Sequence, residues 1–494
     1  MGGEPVPESE SRRWRAFAVC LMAGFMTLLD VSVVNVALPS VQAGLRTSPA
    51  QLSWVVAGYT LAFGLVLVPA GRLGDGLGRR RVFLLGLAAF TVVSAVCGLS
   101  VSGGWLVGAR LGQGAAGGLL TPQIVGLMQQ LFQGRERGTA AGFYGAMVAA
   151  ATAVGPLIGG LLIQLAGSAD GWRWVFFVNL PLGAVTFVLG VRLLPRDRGR
   201  ERGTRLDLVG VVLLGAGITA VILPLIRAEG AQRSVPWSPV GLGVVLLACF
   251  VAWERHYGRG HGSPLVDLRL LHHRPYAIGS VIGVVYFAGY TGLVFVLSLY
   301  FQQGLGYSAL AAGAAGAPFS IGSSVSAALG GRATYRFGRS LVVAGTLTVV
   351  LALVTVGLLI RLYDGTPMWA VLAGPLLIAG AGSGLVIGPN LTLALQDVPP
   401  VQGGTAAGVL QTGQRLGSAF GLAVVASSFL GALAASHRDF SLAAGRGVFT
   451  SAAFVGVALA AAVADVLGSA YRRRRTPPRR PGGDRSGRSR PIRR

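Results

Sequence analysis

A single carboxylate, Asp30, lies inside the first long apolar run of the chain, whose second half reads LLDVSVVNVALP at 28–39. An ionisable group at such depth in a bilayer costs about 2.5–3.5 kcal/mol on insertion scales, and is therefore a functional candidate. A low dielectric favours the neutral form of a carboxyl group, which suits a side chain that takes up and releases a proton. The sequence predicts Asp30 as a proton-coupling residue. The alternative is a carboxylate near the helix end that forms a static pair or reaches toward water.

A cation of matching depth, Arg110, lies in the fourth apolar run. Gln113, Gly114, Gly117 and Gly118 follow it at helical spacing, so one helix face carries a charge, an amide and then only small residues. Small residues permit close packing of membrane helices, whereas the charge needs a partner. Arginine does not lose its proton. Arg110 is therefore predicted to hold and release a carboxylate during proton coupling, with a static pair as the alternative.

Four arginines and an aspartate stand together between the second and third apolar runs, in GRLGDGLGRRR at 71–81. Hydrocarbon does not accept such a cluster, so the segment is predicted to be a short loop at the water boundary, and its arginine density is typical of the cytoplasmic side. Its glycines let two helix ends come close. The pattern G-x-x-x-D-x-x-G-R-R, a candidate gating loop, is carried by Gly71, Asp75, Gly78, Arg79 and Arg80.

The fifth apolar run combines glycines with a proline, in GPLIGG at 155–160. Pro156 removes a backbone donor, which predicts a bend in a helix. Gly155, Gly159 and Gly160 leave a surface along which another helix can slide. Glycine pairs of this spacing are common packing chemistry in membranes, so the Gly-Pro pair is the more specific part of the signal.

These stretches together resemble the major facilitator superfamily of membrane transporters. The loop at 71–81 resembles its signature loop, except that Gly76 stands where the usual pattern has Arg. The first run is similar to the first-helix motif D-x-x-x-x-N-x-A-L-P, with Asp30 and Asn35 among the matches. The fourth run resembles R-x-x-Q-G, whose arginine is implicated in proton coupling in that family. The segment at 155–160 resembles the motif that separates exporters from importers, and WRWVFFVNLP at 172–181 resembles the start of the sixth helix in one branch.

The whole chain reads as an all-α polytopic membrane protein. It has 494 residues, of which 52% are hydrophobic and 12% charged, and its apolar stretches repeatedly approach the roughly 20 residues that span a bilayer. Fourteen transmembrane helices are predicted, at about 16–39, 53–70, 82–101, 104–125, 141–165, 174–194, 208–226, 239–253, 277–300, 308–330, 341–360, 369–391, 404–433 and 447–468.

The chain repeats itself at an offset of about 260 residues. GRLGDGLGRR at 71–80 aligns with GRATYRFGRS at 331–340, where Tyr335 replaces Asp75, and two further segments repeat at similar offsets. The repeat predicts two pseudo-symmetric six-helix bundles with two inserted helices between them. The predicted domains are an N-terminal cytoplasmic segment 1–15, a first bundle 16–195, a linker with two extra helices 196–276, a second bundle 277–470 and a disordered arginine-rich tail 471–494.

Twelve core helices plus an inserted pair resemble the fourteen-helix drug:proton antiporters, the multidrug-resistance branch of the superfamily, over residues 16–470. The resemblance implies a proton-coupled exporter of amphipathic small molecules such as antibiotics or dyes. Its two halves would rock around a substrate site near mid-membrane. The expected partners are the substrate, protons and the lipid bilayer. Candidate residues of the substrate cavity are Asn35, Gln113, Tyr290 and Arg415.

Arginine placement predicts the topology in the cell membrane. The loop at 192–205 carries six arginines, whereas the opposite loops carry few, so this side is expected to be cytoplasmic together with both termini. The arginine-rich tail, 471–494, is expected to bind the membrane surface, and Asp465 is expected to pair with its arginines at 472–475. The net charge of +24 is therefore interpreted as topology, with no nucleic-acid partner.

Several function classes lack their residues in this sequence. All 42 basic residues are arginines, so no lysine can form a Walker-type nucleotide site. The sequence contains no metal-binding or hydrolase motif, and we expect no metal, no cofactor and no enzyme activity. The alternatives that stay open are a dedicated exporter of one metabolite and a non-transporting receptor or scaffold. A monomer is the working hypothesis.

Overall fold

The computed structural model describes residues 10–167, 170–197, 207–231, 237–259, 264–363 and 367–475, and every regular element in them is helical. The α-helices are α1 Glu10–Leu45, α2 Pro49–Leu77, α3 Arg79–Gly98, α4 Gly103–Leu131, α5 Gly134–Ala166, α6 Gly171–Phe177, α7 Asn179–Leu193, α8 Leu208–Ala231, α9 Trp237–Arg259, α10 Arg274–Leu299, α11 Ala309–Phe337, α12 Arg339–Leu362, α13 Met368–Ala394, α14 Gly403–Ala435 and α15 Phe440–Arg475. Short 3-10 turns lie at Leu268–His272 and Pro400–Gln402, and a π-helical turn at Tyr300–Gly304.

The described residues contain fourteen spans, because α6 and α7 form one span that is interrupted at Val178. Eleven of these segments are long and apolar enough to cross a membrane by length and composition alone. Small and polar side chains lower the hydropathy of α4 and α11, and α8 contributes a shorter apolar stretch. The prediction of an all-α polytopic protein with fourteen membrane helices is confirmed.

The internal repeat is visible in matching helices. Helices α2 and α11 both contain 29 residues, and the hydroxyl groups of Ser48 and Ser308 cap their N-termini. Both helices end at a glycine with positive φ, 106° at Gly78 and 53° at Gly338. Glycine adopts this conformation without a Cβ clash, so each loop reverses the chain in a single residue.

Helices α1–α7 pack mainly on one another, and so do α10–α15, each group around apolar cores of its own. The inserted helices α8 and α9 pack on each other, and α8 also contacts α2 and α14 beside the junction of the two halves. The halves meet along two helix pairs, α2 with α14 and α5 with α11. A further apolar cluster joins them near the loop that ends α2. We call this end of the molecule the Arg-rich end.

Both ends of the chain show differences from the predicted boundaries. Helix α1 already begins at Glu10, inside the segment expected to precede the first span. Helix α15 continues to Arg475, so the first residues of the predicted disordered tail are helical. The remainder of that tail, 476–494, lies outside the described residues. Pro156 lies within α5, which stays helical from Gly134 to Ala166.

Candidate functional site

Asp30 of α1 pairs with Arg110 of α4 in the interior of the first half. Arg110 Nη1 lies 2.5 Å from Asp30 Oδ2, and both side chains are at most 1% exposed. Arg110 Nε also donates to the carbonyl of Val55 on α2 at 3.1 Å. Burial of an ion pair is tolerated when the remaining donors and lone pairs also find partners. Such partners surround this pair.

Two amide side chains complete the coordination of the carboxylate. Asp30 Oδ1 accepts hydrogen bonds from Gln113 Nε2 and from Asn179 Nδ2, both at 2.9 Å. The same two nitrogens donate to Ser94 Oγ at 3.1 and 3.0 Å. We refer to Asp30, Arg110, Gln113, Ser94 and Asn179 as the Asp30 network. It connects four helices, α1, α3, α4 and α7, through one carboxylate.

An aromatic stack leads from this network to the second half. The guanidinium carbon of Arg110 lies 4.3 Å from the centroid of the Tyr59 ring. Tyr59 stacks on Phe63 with centroids 6.0 Å apart and planes 25° apart. On the far side, the guanidinium carbon of Arg415 lies 4.7 Å from the Phe63 centroid. Two guanidinium groups thus flank two stacked rings, and the second belongs to α14.

A central cavity of ≈ 290 Å³ lies between the halves, lined by α1, α2, α4, α5, α10, α13 and α14. Its wall mixes apolar, aromatic and neutral polar side chains, as ligand pockets do. Residues from the first half include Thr27, Asn35 and Phe63, and residues from the second half include Tyr290, Gln411 and Arg415. Three of the four predicted cavity residues, Asn35, Tyr290 and Arg415, therefore lie in this wall.

The carboxylate of Asp75 joins the two halves at the Arg-rich end. Its Oδ1 accepts hydrogen bonds from the Gly404 amide at 3.1 Å, and its Oδ2 from the Thr405 amide and hydroxyl, both at 2.8 Å. These groups belong to the first turn of α14, where the helix dipole favours a negative charge. Arg79 pairs with the same carboxylate at 2.7 Å and also donates to the carbonyl of Pro400 in the second half. We call this arrangement the Asp75 cap.

The remaining residues of the loop motif hold the local geometry. A Cβ at Gly71 would overlap the Gly404 carbonyl, so this glycine permits the close approach of α2 and α14. Arg80 stays within the first half, where its amide donates to Asp197 at 3.1 Å and its side chain donates to the Val191 carbonyl at 2.6 Å. The positive φ of Gly78 has been described above. Of these residues, Asp75 and Arg79 form hydrogen bonds across the junction, whereas the hydrogen bonds of Arg80 within the described residues join it to Val191 and Asp197.

The glycine motif of α5 lies between α1 and the second half. A Cβ at Gly155 would overlap Ser32, and one at Gly159 would lie 3.0 Å from Val33 Cγ1. Ser32 and Val33 lie two and three residues after Asp30 on α1. On its other side the motif faces α11, where a Cβ at Gly313 would lie 3.3 Å from the Pro156 ring. The motif therefore lets α5 contact both the helix of Asp30 and the opposite half.

In the second half, the repeated loop uses a different carboxylate. Arg339, equivalent to Arg79, pairs with Asp465 of α15 at 3.0 Å, and Arg274 pairs with the same carboxylate at 3.2 Å. Tyr335, at the position of Asp75, is 71% exposed. Arg274 and Arg339 thus contact both oxygens of Asp465. The expected pairing of Asp465 with the arginines at 472–475 stays a prediction, because their side chains lie outside the described part of the chain.

Gln113 is the predicted cavity residue that lies elsewhere. It is fully buried in the Asp30 network, since a residue three positions after Arg110 shares the helix face of Arg110. Sequence reasoning missed Ser94 and Asn179 as members of the network. Asn179 belongs to the quoted stretch at 172–181, and Ser94 is a polar residue midway along an apolar run, so both carried a weak signal.

An all-helical membrane protein with repeated halves around a central cavity, and with buried charges on its first and fourth helices, has the architecture of a secondary transporter. The family model of the Major Facilitator Superfamily matches residues 20–422. The chain belongs to this superfamily and is a multi-pass membrane transporter, which confirms the resemblance and the expectation that it is not an enzyme.

Relatives that align over most of their own length support the assignment. The probable actinorhodin transporter of Streptomyces coelicolor is 38% identical over 436 residues, which is 87% of this chain and 74% of the relative. The puromycin resistance protein pur8 of Streptomyces alboniger is 35% identical over 464 residues, 93% of this chain and 90% of the relative. The crystal structure of the human organic anion transporter MFSD10 shares the fold, with a TM-score of 0.64 at 18% identity over 91% of this chain and 99% of that chain.

Proposed function

We propose that the protein exports amphipathic small molecules from the cell in exchange for protons. The observation that carries the proposal is the Asp30 network: one buried carboxylate is the acceptor for three donors from two other helices, directly behind the wall of the central cavity. The relatives named for actinorhodin and puromycin support export of small bioactive molecules.

Protonation of Asp30 cannot leave this network unchanged. A protonated carboxyl group has one hydroxyl donor, whereas both carboxylate oxygens of Asp30 currently accept hydrogen bonds. The new donor would face Arg110, Gln113 or Asn179, each of which donates at that point. A buried network with mismatched donors costs free energy until it rearranges. Proton binding therefore favours a different packing of α1 against α4 and α7.

Helix α1 transmits this change to the substrate. Thr27, Val31, Ser32 and Asn35 on α1 line the cavity, and Asp30 points from the opposite side of the same helix into the network. A shift of α1 therefore changes the cavity wall within one helical turn of the carboxylate. Substrate loaded from inside would favour the ion-paired state, and a proton arriving from outside would favour the return.

The energetics suffice for useful export. A proton motive force of about 150 mV supplies roughly 3.5 kcal/mol per charge, which supports a concentration gradient of a few hundredfold. No further energy source is needed. We propose in addition that the protein lies in the cell membrane with both termini and the Arg-rich end on the cytoplasmic side, as the arginine distribution predicts. We also propose that one chain is the transporting unit.

The test uses inside-out membrane vesicles that contain equal amounts of wild type or Asp30→Asn. Respiration energises the vesicles, a fluorescent substrate is added, and its accumulation is followed with and without a protonophore. The expected result is accumulation that the protonophore abolishes in the wild type and that is absent in Asp30→Asn.

Asp170→Asn is the matched control, because Asp170 also pairs with an arginine, Arg173 at 2.9 Å, but is 72% exposed at the surface. It should behave as wild type. Uphill accumulation by Asp30→Asn that still requires the proton gradient would contradict the assignment of Asp30. Accumulation by the wild type without any gradient would contradict proton coupling itself.

A further inference from the structure

The central cavity carries a positive charge that no carboxylate of the described residues in its wall neutralises. Among the described residues in its wall, Arg415 is the one charged side chain, and no carboxylate lines it. Asp30 does not compensate, because its carboxylate is enclosed behind α1 and paired with Arg110. A low-dielectric cavity with one uncompensated cation attracts anions and repels cations.

The guanidinium of Arg415 also has unused hydrogen-bonding capacity. It stacks on the face of the Phe63 ring, and within the described residues it forms no ion pair or hydrogen bond. Stacking occupies the faces of a guanidinium, whereas its N–H groups point outward in the plane. These donors are therefore free for an acceptor inside the cavity.

A second donor lies one helical turn before Arg415 on the same face of α14. The amide nitrogen of Gln411, also in the cavity wall, is buried and has no hydrogen-bond partner in the described part of the chain. An unsatisfied buried donor costs free energy until an acceptor binds it. Gln411 and Arg415 together form a pair of donors without an acceptor, next to the rings of Phe63 and Tyr290.

We propose that the transported molecule is an aromatic amphipath with an anionic group, such as a carboxylate or an ionised phenol. The anionic group binds Arg415 and the Gln411 amide, and the aromatic body packs against the apolar wall. This inference rests on the proposed function and narrows it. The charge of Arg415 opposes the binding of a cationic substrate at the same place.

The charge of the substrate determines how the membrane potential acts on transport. When an anion leaves the cell and a proton enters it, each of the two movements is equivalent to a positive charge that moves inward. A potential that is negative inside therefore drives the exchange even without a pH gradient. Exchange of one proton for a monovalent cation is electroneutral and does not respond to the potential alone.

The first experiment measures binding to the purified protein in nanodiscs with two dyes of the same ring skeleton. Fluorescein is the anionic probe and rhodamine 123 the cationic probe. Wild type should bind fluorescein at least tenfold more tightly than rhodamine 123. Arg415→Gln should weaken fluorescein binding by about ten- to hundredfold, the range for loss of hydrogen bonds to a charged group. Gln411→Leu should weaken it less, and Arg415→Lys should retain most of it.

Arg361→Gln is the matched control, since Arg361 also stacks on a ring, that of Phe449 at 5.5 Å, but lies outside the cavity. It should leave both affinities unchanged, and size-exclusion profiles verify that each variant is folded. Equal or tighter binding of rhodamine 123, or fluorescein binding that survives both Arg415→Gln and Gln411→Leu, would overturn the inference.

A second experiment separates this inference from the proposed function. Proteoliposomes with a potential imposed by potassium and valinomycin, and without a pH gradient, should transport fluorescein. If they instead exchange rhodamine 123 for protons, the antiport proposal stands and the anion site is wrong. If fluorescein binds through Arg415 but no proton flux accompanies its transport, the anion site stands and proton coupling is wrong.

Discussion

Replacement of Asp75 by asparagine should open the Arg-rich end of the transporter. The carboxylate accepts three hydrogen bonds from the first turn of α14, and its side chain is only 4% exposed. Asparagine keeps one acceptor oxygen and loses the charge. Hydrogen bonds to a charged group contribute about 1.5–3 kcal/mol, and a charge at a helix N-terminus about 0.3–1 kcal/mol. We expect a net loss of about 2–3 kcal/mol for the closed state.

This loss corresponds to a shift of about 30- to 150-fold in the equilibrium between closed and open ends. If closed molecules outnumber open ones by about a hundredfold, the ratio of closed to open molecules falls to between about three to one and about two to three. Thr405→Val, which removes one neutral donor, should shift the equilibrium by less, because a neutral hydrogen bond contributes only about 0.5–1.5 kcal/mol.

Spin-label distances measure this equilibrium directly. Leu77 and Val401, on opposite halves at this end, are 45% and 61% exposed and can be replaced by labelled cysteines. Cys249→Ser is needed as the background because Cys249 is exposed, whereas Cys20 and Cys97 are buried. Pulsed electron spin resonance should show a second, longer distance in Asp75→Asn.

Asp197→Asn provides the control for this experiment. Asp197 also accepts backbone amides at a helix start, from Arg80 and Arg81 at 3.1 and 3.3 Å, but within a single half. It should leave the distance distribution unchanged. A wild-type distribution in Asp75→Asn would refute the reasoning, since the cap would then contribute nothing to closure.

Two further predictions concern the helices around Asp30. Asn179→Ala removes a hydrogen-bond donor to the buried Asp30 carboxylate, so it should reduce the protonophore-sensitive accumulation of substrate in vesicles by up to about tenfold. Asp170→Asn should not reduce it, and wild-type accumulation by Asn179→Ala would count against the network. Gly155→Ala places a methyl group against Ser32, so it should lower the free energy of unfolding by about 1–3 kcal/mol and slow export. Adding Ser32→Gly to this variant should restore part of the stability in thermal melts and part of the export in vesicle assays. No recovery would show that the α1–α5 contact is not the cause.

The fold could be predicted because its signals are local and repeated. Apolar runs of membrane length, the Gly-containing loops and the 260-residue repeat each follow from segments of the chain without knowledge of their neighbours. Asp30 and Arg110 could be singled out for the same reason, since a charge in an apolar run is costly wherever it lies. Helix packing then brings these two side chains together at 2.5 Å.

The partners of these groups could not be predicted, because tertiary packing selects them. Asn179 is far from Asp30 in the chain, and the backbone amides that donate hydrogen bonds to Asp75 belong to the other half. Asp465 likewise pairs with Arg339 and Arg274, which are distant from it in the sequence of the second half. Sequence neighbours on one helix are poor guides when a buried carboxylate can be reached from several helices.

The most direct test of the account is proton release upon substrate binding. Purified wild type and Asp30→Asn are placed in weakly buffered detergent solution with a pH indicator, and saturating substrate is added. The substrate is fluorescein or rhodamine 123, whichever of the two dyes the protein binds. Because substrate favours the ion-paired carboxylate, and linkage makes this effect reciprocal, wild type should release up to about one proton per chain and Asp30→Asn none. Equal release from both proteins would place the transported proton on another residue and contradict the central claim.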